Sequence, residues 1–409
     1  MIVAGKAVNR SGRRPLAGFA DRGNRLGRGS YRAAGHRVAQ FGLFALQPLF
    51  GPVAGRWTVS WNERGDSMKS RKILAALALT LIITQAYAEE EVAPNQKPVK
   101  VVADKRIAVG SQGMLPLYVS ADWSKPLPGI TRAILVLHGR LRNADVYYRS
   151  ALTAQVAAGD AGKSTIMIVP QFLAGIDIEA YHLPADTLHW SLEGWEGGDA
   201  AEGPQPASSF DALDAILARL ADRHLFPDLK QVVVAGHSGG GQVVQRYAIA
   251  TEGEAVLKAE NVAIRYVVAN PSSYAYFSAD RPEPQIAASC PGYDNWKYGM
   301  EARPSYLAPP GAAELEQRYV ARQVIYLLGT RDTNPNHPAL DKSCMAEAQG
   351  PYRYARGHSY AAVMAARDGG TPNHRLWDVP DVGHDGDRML TSPCGLAALF
   401  ELPGCGAER

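Results

Sequence analysis

Short uninterrupted apolar runs recur along the chain, and between them lie stretches whose apolar residues fall three and four positions apart. Ala133-Ile134-Leu135-Val136-Leu137, Thr165-Ile166-Met167-Ile168-Val169 and Val232-Val233-Val234-Ala235 are runs of the first kind, and residues 263–269, 323–328 and 375–379, though broken by a polar or charged residue, also read as strands. A run without alternation fits a strand buried on both faces, so these segments predict a mainly parallel sheet. Residues 144–158, 242–248 and 352–367 read as helices. So does the segment after Ser208, where Phe210, Leu213, Ile216, Leu217 and Leu220 form one stripe and Ser208 with Asp211 makes a capping box. Residues 99–123 are strand-like with turn signals at Gly110 and Gly113, as expected of leading antiparallel strands. Strands alternating with helices predict an α/β fold with helices on both faces of the sheet. Three insertions interrupt it, at about 171–207, 271–317 and 333–350, and the first is expected to form loops over the site.

One apolar run stands apart. Residues 73–83 follow Lys69, Arg71 and Lys72, and Ala86-Tyr87-Ala88 supplies small residues before the acidic run Glu89 to Glu91. This order is that of a secretory signal peptide, residues 68–88, and the run is too short to span a bilayer. The mature chain is therefore expected in a secreted or periplasmic location, without stable membrane insertion. Signal peptides open a chain, so Met68 is the expected start and residues 1–67 an over-extended reading frame; an Arg-rich presequence is the alternative. Residues 89–409 are then a single domain. The whole-chain charge of +3 resolves into +8 over residues 1–67, +3 over the signal stretch and −8 over residues 89–409. A domain of that sign offers no basic field for nucleic acid.

Export also bears on the cysteines, Cys290, Cys344, Cys394 and Cys405. None lies in a C-x-x-C pair, so no zinc site is expected. Three disulfide pairings are possible. Cys394–Cys405, closing a short loop, and Cys290–Cys344, tying two insertions together, are the expected ones, with four free thiols as the alternative.

The chemistry concentrates at Gly236-His237-Ser238-Gly239-Gly240, set between the strand ending at Ala235 and the helix beginning near Gln242. A Gly-x-Ser-x-Gly turn between strand and helix is a nucleophile elbow, which exposes a serine hydroxyl above the sheet edge. Serine needs a base, and the base a carboxylate to fix its tautomer. Downstream, Gly329-Thr330-Arg331-Asp332 follows one strand and Gly383-His384-Asp385 follows another.

With these motifs in this order, the chain resembles the α/β-hydrolase superfamily from about residue 133 onward. The resemblance implies Ser238 as nucleophile, Asp332 as orienting acid and His384 as general base. His138-Gly139 resembles the oxyanion segment, with backbone N–H groups of Gly239 and Arg140 as donors. Asp378 or Asp381 could replace Asp332, and His358 and His374 are rivals to His384. Asp332-Thr333-Asn334-Pro335-Asn336 mimics the start of a calcium loop, but His337 and Ser343 stand where that loop needs Gly and Glu. No metal and no organic cofactor are expected. Trp190, Trp195 and Tyr274 are candidate pocket walls, or else small-core anchors for their own loops.

The expected activity is hydrolysis of an ester-type bond in a small-molecule or polymeric substrate. An amidase or peptidase, an acyltransferase and an inactive binding scaffold are the alternatives. Neither the substrate nor the oligomeric state is written in the sequence.

Overall fold

A computed structural model describes residues 93–111, 113–367 and 373–405. The expected signal peptide and residues 1–67 lie outside the described residues. The apolar runs assemble into one eight-stranded sheet. Its strands are β1 (Lys105–Val109), β2 (Gly113–Val119), β3 (Arg132–Leu137), β4 (Thr165–Pro170), β7 (Gln231–His237), β8 (Ala263–Ala269), β9 (Val324–Gly329) and β10 (His374–Val379). The spatial order is β1-β2-β4-β3-β7-β8-β9-β10. β1 and β2 are antiparallel to their neighbours and all other pairings are parallel. β5 (Leu173–Ala174) and β6 (His189–Trp190) make a separate parallel pair inside the first insertion.

The uninterrupted apolar runs bury both faces of the sheet. Leu135, Leu137, Ile168, Val232, Val234, Tyr266 and Tyr326 face one core. Ile134, Val136, Val233, Ala235, Val267 and Leu327 face the other. Helices cover both. α1 (Ala144–Ala157), α6 (Gly386–Thr391) and α7 (Pro393–Phe400) pack on the second core. α2 (Ser209–Leu220), α3 (Gly239–Ala250), α4 (Ala312–Val320) and α5 (Arg353–Arg367) pack on the first. At the start of α2 the Ser208 N–H donates to Asp211 Oδ2 at 2.8 Å, and Ser208 Oγ accepts from the Phe210 N–H at 3.1 Å. No helix among the described residues is long and apolar enough to cross a membrane.

From β3 the chain crosses to β4 on one side and later to β7 on the other, so direction reverses at the β3/β7 junction. Crevices at such a switch point, beyond the carboxyl ends of the strands, are where α/β sheets hold ligands. Ser238 follows β7 at this junction.

The first insertion corrects one expectation. It is not only loops: β5, a helix Gly175–Tyr181, β6 and a short 3-10 turn Gly194–Gly197 fold into it, and Phe172, Trp190 and Trp195 belong to the core. The cysteines pair as Cys290–Cys344, with Cα atoms 5.7 Å apart, and Cys394–Cys405, 4.6 Å apart. The first bond links the second and third insertions; the second closes a hook after α7.

Candidate active site

β7 delivers Ser238 into a turn that needs glycine on both sides. A Cβ on Gly236 would stand 2.3 Å from the Gly240 oxygen, and one on Gly240 would stand 2.2 Å from the Leu137 oxygen. Real side chains do not approach backbone this closely, so the elbow can be this tight only with hydrogen at those positions. Ser238 itself takes φ 60° and ψ −122°, a conformation costly for a residue with a Cβ. Its N–H donates to the Ala269 oxygen at 3.0 Å, which helps hold the turn.

The serine faces His384, which lies in the loop between β10 and α6. Ser238 Oγ and His384 Nε2 are 2.9 Å apart, and His384 Nδ1 and Asp332 Oδ2 are 2.8 Å apart. Burial opposes ionisation of Asp332. The hydrogen bond from His384 and the nearby charges of His384, Arg353 and His337 outweigh it and hold the carboxyl below its ordinary range. An ionised carboxylate only accepts, so the imidazole proton sits on Nδ1 and Nε2 is free to accept from the serine hydroxyl. Burial also pushes the His384 imidazole below its ordinary 6.5, against the pull of the Asp332 hydrogen bond. The ring is thus neutral and basic at neutral pH.

Behind Asp332 stands Arg353, the first residue of α5, fully buried. Its Nη1 lies 3.4 Å from Asp332 Oδ1, its Nε donates to Ser272 Oγ at 3.0 Å, and Nη2 donates to the Ala339 oxygen. Sequence reasoning missed it. The available signal was the stripe Arg353, Arg356, Tyr360, Met364, which puts two arginines on the buried face of α5.

The rivals lie elsewhere. His358 pairs with Asp378 at 2.9 Å on the surface, and Asp381 pairs with Arg331 at 2.6 Å. His374 bonds Tyr326 and the Tyr319 oxygen.

On the other side of Ser238 the loop His138-Gly139-Arg140 meets the start of α3. A Cβ on Gly239 would come within 3.0 Å of the Arg140 nitrogen, so the two backbone N–H groups are neighbours. Neither has an acceptor among the described residues. His138 fixes this loop: Nδ1 donates to the Gly139 oxygen at 2.9 Å and Nε2 accepts from the Phe172 N–H at 3.0 Å. Burial drives its pKa down to about 4, so it stays neutral in this two-bond arrangement. His237, also buried, meets the Tyr147 hydroxyl at 3.0 Å, and its ring centre lies 4.7 Å from that of His384.

Two cavities flank the serine. One, about 170 Å³, is lined by Arg140, Glu193, Glu196, Gln242, Lys297 and Asp341 among others. Charges alternate along it: Arg140 Nη2 is 2.9 Å from Glu193 Oε1, and Lys297 Nζ is 3.7 Å from Glu193 Oε2 and 3.4 Å from Glu196 Oε2. The other, about 380 Å³, lies beneath His384 and is lined by Leu141, Val146, Tyr147, His237, His337 and Asp387 among others.

Trp190, Trp195 and Tyr274 line neither cavity, which corrects their candidacy as pocket walls. All three are fully buried. Trp195 stacks on Phe172 with ring centres 5.4 Å apart and packs against His138 at 4.7 Å, while Tyr274 stacks on Tyr360 at 4.5 Å. Large flat rings gain more by filling the core under an insertion than by walling a polar cleft.

No protein-family model matches the chain, and no curated protein sequence matches it. Solved structures do. A poly(3-hydroxybutyrate) depolymerase from Bordetella parapertussis superposes with a TM-score of 0.50 at 22% identity, over 72% of this chain and 86% of its own. Poly(aspartic acid) hydrolase-1 from Sphingomonas sp. KT-1 superposes with a TM-score of 0.50 at 23% identity, over 72% of this chain and 96% of its own.

Proposed function

The chain has the α/β-hydrolase fold, and from that premise we propose that it is an exported serine hydrolase that cleaves ester-type bonds through an acyl-enzyme. The observation that carries this is the hydrogen-bond chain Ser238–His384–Asp332 facing two N–H groups that have no acceptor among the described residues. Ser238 is the nucleophile, His384 the general base and Asp332 the group that fixes its tautomer. As Ser238 Oγ bonds to the substrate carbonyl carbon, its proton passes to His384 Nε2. The N–H groups of Gly239 and Arg140 hold the resulting oxyanion. The imidazolium then protonates the leaving oxygen and the alcohol departs. A water deprotonated by His384 attacks the acyl carbon, and its proton returns to Ser238 as the acid leaves. Every proton is accounted for by the chain's own residues, so no cofactor enters.

The charged cavity supports a polar substrate. Its lining is dominated by Arg140, Glu193, Glu196, Lys297 and Asp341, so a long alkyl chain would displace the water around charged groups and offer nothing in return. The two solved structures above are named for a depolymerase and a poly(aspartic acid) hydrolase, which favours a short polar acyl unit, free or within a polymer. Export through residues 68–88, with residues 89–409 as the mature domain, is supported by the two disulfides.

A fluorophosphonate probe, mapped by mass spectrometry, is expected to modify Ser238. Ser238→Ala is expected to lose turnover by several powers of ten, on the order of 10⁶ for a triad acting as a unit. Near wild-type turnover in that variant would overturn the assignment. Among p-nitrophenyl esters of graded chain length, acetate and butyrate are expected to outrun palmitate; the reverse order would sink the polar-substrate reading while leaving the triad standing.

A further inference from the structure

The carboxylates lining the cavity of about 170 Å³ beside Ser238 are paired, with one exception. Glu193 faces Arg140 with one oxygen and Lys297 with the other. Asp341 Oδ1 accepts from the Ser343 N–H at 3.0 Å, and Oδ2 accepts from the Tyr298 hydroxyl at 2.8 Å. Glu196 is the exception, with a side chain only 5% exposed. Its Oε2 accepts from Gln242 Nε2 at 3.1 Å and lies 3.4 Å from Lys297 Nζ. Its Oε1 has no donor among the described residues, yet it is not sealed from solvent and opens on the cavity. A polar atom of a nearly buried side chain ordinarily has a partner within the protein.

The position of Oε1 gives the open acceptor its meaning. A Cβ on Gly239 would stand 2.7 Å from Glu196 Oε1 and 3.0 Å from the Arg140 nitrogen. The free carboxylate oxygen therefore lies beside the two N–H groups assigned to the oxyanion. Negative charge developing there meets a second negative charge. Lys297 offsets part of it through Oε2 and leaves Oε1 bare. A donor brought by the substrate would cover it.

The two cavities also divide the substrate. His384 has to reach the leaving oxygen to protonate it, so the alcohol lies on the side that His384 lines, the cavity of about 380 Å³. His384 does not line the smaller cavity, which touches Ser238 and Gly239 and is left for the acyl group. Glu196 Oε1 thus faces the acyl carbons nearest the scissile carbonyl.

We propose, resting on the serine-hydrolase reading above, that Glu196 selects the acyl group: the preferred ester carries a hydrogen-bond donor, a hydroxyl or an ammonium, on its α or β carbon, and that donor bonds Oε1. A site built to receive a donor rejects an analogue without one strongly, because its own acceptor is then left unpaired. Glu196→Gln reverses the chemistry. Both partners of Oε2 donate, so a glutamine turns its carbonyl oxygen to them and its NH2 to the cavity, replacing the acceptor with a donor.

Hydrolysis of five ethyl esters, with the released acid measured by chromatography, tests the assignment: butyrate, 2-hydroxybutyrate, 3-hydroxybutyrate, 3-aminobutyrate and 3-methoxybutyrate. At least one hydroxy or amino ester is expected to exceed butyrate in kcat/KM by about tenfold or more, the scale of a hydrogen bond to a charged group. The methoxy ester, which only accepts, should gain nothing. Which donor ester leads tells hydroxyl from ammonium. In Glu196→Gln the preference over butyrate should vanish or invert, whereas a merely structural Glu196 would slow all five esters alike. Butyrate or the methoxy ester matching the donor esters, or a preference that survives Glu196→Gln, overturns the proposal. Ser238 that reacts with a fluorophosphonate while no donor ester is turned over also overturns it, and leaves the hydrolase reading standing. Absence of both labelling and turnover sinks the two together. If Glu196→Gln does not fold, crystals of Ser238→Ala soaked with the fastest donor ester decide. Its hydroxyl or ammonium within hydrogen-bond distance of Glu196 Oε1 supports the assignment, and any other placement, or none, overturns it.

Discussion

Buried charge is handled in opposite ways at the two ends of the sheet. At the carboxyl end Arg353, Asp332, His384 and Ser238 form a line in which each donor meets an acceptor, and all three guanidinium nitrogens of Arg353 are engaged. What that line leaves open is one serine oxygen and two backbone N–H groups. At the amino end Arg265 keeps two buried nitrogens without a partner among the described residues. A closed line fixes protonation states before any substrate arrives, which is what proton transfer at neutral pH requires. A guanidinium left partly unpaired in this way fixes no protonation state. Burial alone therefore does not mark a reactive site, whereas the completeness of the donor–acceptor alternation does.

The sharpest way to break the closed line is to reverse one link. Asp332→Asn keeps the shape, but its amide N–H can face Nδ1, which forces the imidazole proton onto Nε2. His384 then cannot accept from Ser238. A fall in kcat of about 10⁴-fold is expected, with the fold intact. Loss of less than about tenfold would show that the alternation is not what sets the base.

Arg353→Met tests the anchor of the line, with a smaller effect. Removing one partner of a buried ion pair costs about 3–5 kcal/mol of stability, read by denaturant unfolding. The pH profile adds a second readout. Activity requires neutral His384, so kcat/KM falls as pH drops through its pKa, which burial first and the Arg353 charge further hold below 6.5. Without Arg353 that pKa rises and the acid limb moves to higher pH. Arg353→Lys, which keeps a charge but not the fork, should leave the limb near its original place while still losing stability. An unmoved limb in Arg353→Met would reduce Arg353 to a brace.

How much of this was legible in the sequence follows the same division. The elbow could be read because its constraints are local: glycines at fixed offsets from Ser238, an apolar strand before and a helix after. Asp332 and His384 could be read because each follows a strand, and strand ends in a parallel sheet share one edge. The parallel sheet and its two leading antiparallel strands were legible from unalternated runs and turn glycines. Arg353, Glu196 and Lys297 were not, because only the packing of α5 and of the insertions brings them to the site, and nothing in their own neighbourhoods marks them. Trp190, Trp195 and Tyr274 misled for the converse reason. An aromatic residue in an insertion reads as a pocket wall until the insertion is seen to carry its own core. Arg265 left a trace, a charge inside an apolar strand, whose meaning waited on knowing which of its nitrogens go unpaired.

The mildest test falls on the oxyanion side, where His138 holds the loop with one donated and one accepted hydrogen bond. His138→Phe keeps a ring beside Trp195 but removes both bonds, so the Gly139–Arg140 backbone loses its side-chain anchor without a cavity opening and keeps the Arg142 N–H bond to the Gly139 oxygen. If Arg140 N–H serves the oxyanion, kcat should fall roughly 10²-fold with KM little changed, since the lost contact forms mainly in the transition state. The same residue carries a stability signature. Its folded pKa of about 4 lies below the unfolded value of 6.5, so between those values the unfolded chain binds a proton that the native one does not. Stability from this group is complete above pH 6.5 and declines as pH falls toward 4, by about 3 kcal/mol in all. His138→Phe should flatten that part of the stability profile, measured by urea unfolding across pH 4 to 7. A profile equally steep in the variant would assign the acid sensitivity to His237, the other fully buried histidine beside the serine, whose pKa burial also pulls well below 6.5. Since His237 bonds Tyr147 and not the oxyanion loop directly, that outcome combined with an unchanged kcat would leave the Gly139–Arg140 backbone held by its remaining contacts, among them the Arg142 N–H donating to the Gly139 oxygen at 3.1 Å.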